Sequence, residues 1–301
     1  VFRYMIRLVQ WAFFGSAGGN FLETVSAAPL YVKLLAPALG GLIIGPIIFF
    51  IAREARGPGV SETMEAVAVR GGRIRKRVSI VKILTSAVCI GSGGSAGRER
   101  PIVQIGAGIG SMCGQLLHVS TDRLRTLVAC GAAGGIAATF NAPIAGVMFA
   151  MEIILGNYGI SSFSPIVVSS VVATAISRAH LGNYPALAAA KYTLLGAWEL
   201  PLYIILGVFC GAVAVLFTIV LHKTEDGFNG LKMPEYLKPA VGGLLVGLMG
   251  IVFPEVYGVG YDVIDLAVWD RLPWFFLLGL VFLKIAATAF TTPPAPPDPI
   301  V

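Results

Sequence analysis

Apolar residues run along this chain in long stretches, broken by short clusters of glycine, proline and charge. The stretches "LAPALGGLIIGPIIFFIA" and "ELPLYIILGVFCGAVAVLFTIVL" each approach the roughly 20 residues that an α-helix needs to cross a bilayer. Continuous apolar runs of this length, without the two-residue alternation of half-buried strands, predict helices. The pattern places spans or part-spans near 4–26, 34–53, 78–91, 101–117, 123–138, 143–156, 163–180, 199–222, 237–254 and 273–290. Short breaks fall at 57–61, 91–100 and 139–143. The expected fold class is an all-α polytopic membrane protein.

Composition sharpens this reading. Of 301 residues, 56% are hydrophobic and 13% charged, about half the roughly 25% charge of a soluble domain. Too little polar surface remains to solvate a free globule. The net charge of +6 is concentrated in "RGGRIRKR" (Arg70–Arg77), with Arg53 and Arg56 just upstream. Short Lys/Arg-rich loops stay on the cytoplasmic side. Apolar helices flank the run and no aromatics interleave it, so a nucleic-acid partner is not expected. Cys89, Cys113, Cys130 and Cys210 lie in apolar segments without CxxC spacing, as small core residues do. His118, His180 and His222 are far apart and are expected near helix ends, at a surface or interface. With no metal-ligand spacing, phosphate loop or nucleophile–base pairing, no metal, cofactor or enzymatic activity is expected. Val1 opens inside a helical pattern without an initiator Met, so the natural start is expected upstream.

The chain also repeats itself. "LAPALGGLIIG" (Leu35–Gly45) matches "LKPAVGGLLVG" (Leu237–Gly247), and "VKILTSAV" (Val81–Val88) matches "LKIAATAF" (Leu283–Phe290), both at an offset of 202 residues, so Lys82 corresponds to Lys284. Between the matched segments each copy carries a Gly-x-Gly break followed by acidic residues, "GPGVSETMEA" from Gly57 and "GVGYDVIDLA" from Gly258. Internal repeats with broken helices at corresponding points mark transporters and point to the binding site. The expected organisation is a first membrane repeat over 1–180 and a partial second repeat over 181–301. Where the second copy should continue with "CIGSGGSAGRERP", the chain reads "TTPPAPPDPIV". A Pro-rich stretch cannot continue a helix. An abnormal C-terminus, by truncation or a shifted reading frame, and low stability in detergent are therefore expected.

The breaks carry the candidate chemistry. A helix N-terminus presents unpaired N–H groups and a partial positive charge, and binds anions without a full cation. That matters in a membrane, where buried charge is costly. Gly97-Arg98-Glu99-Arg100-Pro101 fits a helix start aimed at an anion, as does Gly57-Pro58-Gly59-Val60-Ser61. Glycine lets the backbone approach an ion, and Pro in the first turn removes an N–H that would be unpaired anyway. Glu99 at such a start competes with the anion and leaves when protonated, which makes it a gate and a proton carrier in one group. The alternative at this point is a surface pairing of Glu99 with Arg98 or Arg100.

"GSGGSAGRERPIVQIG" resembles the GREGP motif of the CLC family of chloride channels and proton/anion antiporters, "FNAPIAGVMFAMEIILG" its FNAPLAG helix pair, and "GPGVSETMEA" its GSGIP break. The resemblance implies an inverted-repeat helical fold with broken helices, here with an incomplete second repeat. It also implies a homodimer in the intact parent, one anion pathway per subunit, and the cell (inner) membrane of a prokaryote. Glu99 then matches the gating glutamate. Gly57, Pro58 and Gly59, with Val60 and Ser61, match the central anion-binding loop, and Gly97, Arg98, Arg100 and Pro101 the second anion-binding break. Lys82 matches a buried lysine beside the pathway. From the residues alone, snorkelling to the cytoplasmic side is its alternative.

The departures count as well. Pro58 stands where the motif has serine and removes a hydroxyl donor; in plant relatives proline there goes with nitrate preference. Ser61 stands where the motif has proline, and Arg100 replaces the second glycine of GREGP. The inner proton-relaying glutamate falls on Ile153, with Glu152 in the preceding position. The GxFxP motif and the pore tyrosine are absent. The sequence therefore predicts a chloride or small-anion transporter in a lipid bilayer, with protons as possible co-substrate. A passive channel, a nitrate preference and a non-conducting remnant remain the alternatives. Asp262, Asp265 and Asp270 are expected at solvated loop ends. Trp198, Trp269 and Trp274 are expected as interfacial anchors.

Overall fold

The structure, a computed structural model, describes residues 2–15, 20–51, 57, 59–183 and 196–292. Arg53, Arg56, Pro58 and the Pro-rich 293–301 lie outside the described residues. Every regular element among the described residues is helical. In chain order they are α1 (Phe2–Phe14), α2 (Phe21–Ala27), α3 (Leu30–Ile51), α4 (Val60–Ala68), α5 (Lys76–Gly91), α6 (Glu99–Leu116), α7 (Thr121–Phe140), α8 (Pro143–Phe149), α9 (Ile160–Leu181), α10 (Leu200–Gly230), α11 (Lys238–Val252), α12 (Tyr261–Val268) and α13 (Trp274–Thr291). A π-helical segment, Ala150–Leu155, continues α8. Among the described residues, five helical segments are long and apolar enough to cross a membrane: Leu30–Ile51, Ile160–Leu181, Ala197–Gly230, Glu235–Val252 and Trp274–Thr291.

The apolar pattern over 4–26 predicts one span, and the structure has two helices. Gly15, at φ 74°, closes α1, and α2 starts after Asn20. Conversely, the span predicted over 199–222 extends to Gly230 through "HKTEDGFNG". His222 is thus interior to α10 rather than near its end, exposed, with Nδ1 2.8 Å from the Thr218 carbonyl oxygen. Cys130 is buried, but Cys113 and Cys210 are exposed, so only part of the cysteine set packs in the core. Cys210 lies on α10, whose apolar surface faces away from the protein. Apolar residues on a membrane helix have two apolar environments open to them, and periodicity alone does not choose between protein and lipid. Trp198, Trp269 and Trp274 are exposed beside helix ends.

The core is built by helices that approach backbone to backbone. A Cβ on Gly106 of α6 would lie 2.2 Å from the Gly131 carbonyl oxygen of α7, and one on Gly131 would lie 2.0 Å from that of Gly106. Around this crossing, Val103, Ala107, Val128, Ala132 and Ala133 form the largest apolar cluster together with Met151 and Ile166. Small residues take the place that bulky aliphatics hold in soluble bundles, because close packing rather than water exclusion joins helices in lipid.

The same principle joins α3 to α11, and does so reciprocally. A Cβ on Gly41 would lie 2.1 Å from the Pro239 carbonyl oxygen, and one on Gly243 would lie 2.1 Å from that of Pro37. One turn further on, Gly45 abuts the Tyr236 carbonyl and Gly247 that of Leu34. Each contact maps onto its partner through the 202-residue offset. Reciprocal pairing of this kind is the geometry of two copies related by a two-fold axis. The correspondence extends outward: α5 packs on α3 and α1, as α13 packs on α11 and α10.

Candidate functional site

Each Gly-x-Gly break ends in a residue with positive φ that starts a short helix. Gly59 (φ 103°) caps α4 and Gly260 (φ 88°) caps α12. A lysine from the following helix secures each turn. Lys82 Nζ donates to the Gly57 carbonyl at 2.6 Å. Lys284 Nζ donates to the Val256 and Gly258 carbonyls at 2.8 and 3.0 Å. Lys82 is only 6% exposed, so its ammonium does not snorkel to an aqueous surface; it is spent on the turn.

The first turn abuts the start of α6. A Cβ on Gly59 would lie 2.7 Å from the Arg100 carbonyl oxygen. The two breaks that are 40 residues apart in sequence (Gly57 and Gly97) thereby meet. Gly57, Lys82, Gly97, Glu99, Arg100 and Pro101 line one cavity of ≈ 330 Å³. Pro37, Gly41, Pro239 and Gly243 line its other side, so it lies against the α3–α11 crossing. Thr288 and Thr291 of α13 also face it, and the Thr291 hydroxyl accepts from the Ser95 N–H at 2.9 Å. This bond pins the "SGGSAG" connection between α5 and α6 to the second half of the chain.

Other sequence candidates lie elsewhere. Gly59 is buried beneath the turn, Val60 packs against the large apolar cluster and Ser61 is exposed; none of the three lines the cavity. Arg98 turns away into a second cavity of ≈ 230 Å³ with Arg3, Arg7 and Tyr261. Glu152 and Ile153 sit on the π-helical segment, both exposed, and line neither cavity. The Glu152 carboxylate accepts a long hydrogen bond, 3.5 Å, from the Tyr158 hydroxyl.

Two residues that the sequence reading passed over complete the site. Glu62 folds back over its own helix start and accepts from the Gly59 N–H at 2.5 Å. A carboxylate therefore covers the positive end of α4. The signal was present: a Glu three residues after a helix cap is the position from which it reaches the cap N–H. The other is Tyr261, whose hydroxyl donates to Glu99 Oε1. The Arg98 guanidinium lies over its ring, 4.6 Å from the centroid, within cation–π range. Glu99 pairs with this hydroxyl, not with Arg98 or Arg100. Nothing local marks Tyr261, because 162 residues separate it from Glu99.

Asp262 is also not a solvated loop end. Its carboxylate accepts from the Leu22 N–H at 3.2 Å, capping the start of α2, while Asp265 has a buried carboxylate oxygen. Asp270 is exposed.

Residues 40–295 match the family model described as voltage gated chloride channel. The chain belongs to this family, the CLC family. It is an integral membrane protein with the all-α, inverted-repeat fold of broken helices. A ClcB-like protein of Ralstonia nicotianae is 35% identical over 292 residues, which cover 96% of this chain and 68% of that protein. Chloride channel protein CLC-e of Arabidopsis thaliana is 30% identical over 305 residues, 95% of this chain and 42% of that protein. The voltage-gated ClC-type chloride channel ClcB of Escherichia coli O81 (strain ED1a) is 28% identical, with coverage of 95% and 69%. The chain thus spans less than half the length of CLC-e and about two thirds of the two bacterial proteins.

Among solved structures, a slow cyanobacterial Cl-/H+ antiporter superposes with a TM-score of 0.79 at 21% identity, covering 98% of this chain and 70% of that one. A eukaryotic CLC transporter superposes with a TM-score of 0.75 at 19% identity, covering 99% of this chain and 53% of that one. At this level of identity the likeness establishes the fold.

Proposed function

We propose that the protein moves chloride or a similar small anion across a membrane, along a path that passes the starts of α4 and α6, with Glu99 as its protonatable gate. The observation that carries this reading is the single cavity lined by Gly57, Lys82, Glu99 and Arg100. It sets a lysine and an arginine beside the turns that start α4 and α6, against the crossing of two apolar helices. The anion meets helix-start N–H groups in place of water. Glu99 occupies the same place as a built-in anion and leaves when protonated or displaced. In this reading the Gly57-Pro58-Gly59-Val60-Ser61 motif supplies the inner break, and Gly97, Arg98, Arg100 and Pro101 the outer one. The repeats divide at about residue 180, and each subunit of a homodimer in the cell membrane carries its own path.

A second reading, passive conduction without protons, has one observation in its favour. Glu152 and Ile153 are exposed on the π-helical segment and line neither cavity, so the position expected to relay protons does not reach the cavity that Glu99 lines. In this reading Glu99 gates the anion but relays no proton.

Chloride efflux from proteoliposomes, with external pH recorded, tests both. The transport reading expects efflux from the unmodified protein and a change in rate for Glu99→Gln and Glu99→Ala. Proton movement coupled to chloride selects the antiporter, and efflux without it selects the channel. Efflux indistinguishable from empty liposomes in all three would end the transport reading.

A further inference from the structure

The hydrogen bond between Tyr261 and Glu99 joins groups that line different cavities. Glu99 faces the ≈ 330 Å³ cavity, and Tyr261 and Arg98 face the ≈ 230 Å³ cavity that also holds Arg3 and Arg7. The bonded pair therefore stands in the partition between them. On one side Lys82 and Arg100 line the same cavity as the carboxylate; on the other are Arg3, Arg7 and Arg98, with Asp262 beside them.

Tyr261 is held firmly. It is the first residue of α12, directly after Gly260. Lys284 clamps the turn behind it through the Val256 and Gly258 carbonyls. Asp262, the next residue, is bonded to the Leu22 N–H, and the Arg98 guanidinium covers the ring. A phenol has one proton to donate, and here it goes to Glu99. The corresponding position in the first repeat, by alignment of the two capping glycines, is Val60, which has no hydroxyl. The repeat does not account for a tyrosine at this place, whereas the bond to Glu99 does.

We propose that Tyr261 is the latch of the Glu99 gate: its hydroxyl, backed by Arg98, holds the carboxylate in the partition, and anion passage requires that hydrogen bond to break. The proposal rests on the reading of Glu99 as the gate. Tyr261 acts here as a positioning residue, since it works through Glu99.

The test is chloride efflux from proteoliposomes for the unmodified protein, Tyr261→Phe, Glu99→Ala and the double variant. Phenylalanine keeps the ring and the contact with Arg98 while removing the proton. A hydrogen bond to a charged acceptor is among the stronger ones, so its loss is expected to raise efflux about tenfold in the otherwise unmodified protein. In the Glu99→Ala background the carboxylate is gone, and Tyr261→Phe is expected to leave efflux unchanged. Equal effects in both backgrounds would reduce Tyr261 to a structural role and overturn the latch. So would efflux that responds to Glu99→Ala but not to Tyr261→Phe, and in that case the gate itself would stand. Efflux absent in every variant removes the transport reading and the latch with it. If Tyr261→Phe does not yield a monodisperse protein, Arg98→Lys takes its place. It keeps the charge, loses the flat stack on the ring, and is expected to raise efflux less, again only when Glu99 is present.

Discussion

Lys82 and Lys284, 202 residues apart in sequence, each donate to the carbonyl oxygen of the first glycine in a Gly-x-Gly turn, Gly57 at 2.6 Å and Gly258 at 3.0 Å. Both ammonium groups are largely buried, and both hold the turn that presents a short helix start. A buried cation with a carbonyl partner loses hydration and regains part of it from the bond. Position is what the protein gains from the arrangement: the orientation of the two turns is set by groups that cannot drift.

This relationship predicts unequal consequences for equal substitutions. Lys82→Met removes both a cation of the ≈ 330 Å³ cavity and the support of the Gly57 turn. It should lower chloride efflux by about tenfold or more. Removing the buried ammonium also removes its desolvation penalty, so stability should change by only about 1 kcal/mol. Lys284→Met should act on efflux indirectly, by loosening Tyr261, and raise it by less than Tyr261→Phe does. Efflux rates and thermal unfolding of the two purified variants check this; an efflux loss for Lys284→Met would contradict it.

The reciprocal crossing of α3 and α11 predicts matched losses of stability. Gly41→Ala and Gly243→Ala each place a methyl 2.1 Å from a backbone carbonyl oxygen, and neither helix can yield without disturbing the cavity. Each should destabilise the protein by about 1–3 kcal/mol, as overpacking of a close contact does. Gly211→Ala on α10 meets nothing within 4 Å. It should be neutral or stabilising by up to about 1 kcal/mol through helix propensity. Thermal unfolding in detergent separates the three, and a stabilising Gly41→Ala would show that the crossing is looser than described.

Glu62 covers the start of α4 with a negative charge, where the proposed path passes. Glu62→Gln keeps an acceptor oxygen for the Gly59 N–H and removes the charge. The chloride concentration for half-maximal efflux should fall, by about threefold or more, because a carboxylate beside an anion site repels its occupant. A titration of efflux against chloride reads this directly. An unchanged half-maximal concentration would place Glu62 in a capping role alone.

If Glu99 yields its place on protonation, chloride efflux of the unmodified protein rises as pH falls. Glu99→Gln, fixed in the neutral form, should show efflux that varies less than about twofold over the same pH range. A pH series on both proteins decides it; parallel profiles would move the titrating group away from Glu99.

Part of the candidate site is legible in the sequence. The Gly-rich breaks around Gly57 and Gly97, and the charges set into the second, stood out because a chain this apolar has few reasons to interrupt a helix with charge. The 202-residue offset between Leu35–Gly45 and Leu237–Gly247 named the two helices that cross, since the small residues that let backbones approach are also what makes the two copies alike. The split of the first span at Gly15 was not legible. In a membrane chain a break of a few residues leaves the apolar pattern nearly intact.

What the sequence settled on its own was local: where helices run, where they break, and which breaks carry charge. These follow from backbone chemistry within a few residues, where glycine and proline end a helix and buried charge is tolerated only for a purpose. Partner choice was settled by the tertiary structure. It paired Glu99 with Tyr261 across 162 residues rather than with Arg98 or Arg100 beside it, turned Arg98 onto the Tyr261 ring, and used Asp262 to cap α2. The reason is geometric. Adjacent residues on a helix point in different directions, so the groups that satisfy a buried charge come from whichever element the fold brings opposite, and only the placement of the start of α12 beside Arg98 and Glu99 selects Tyr261.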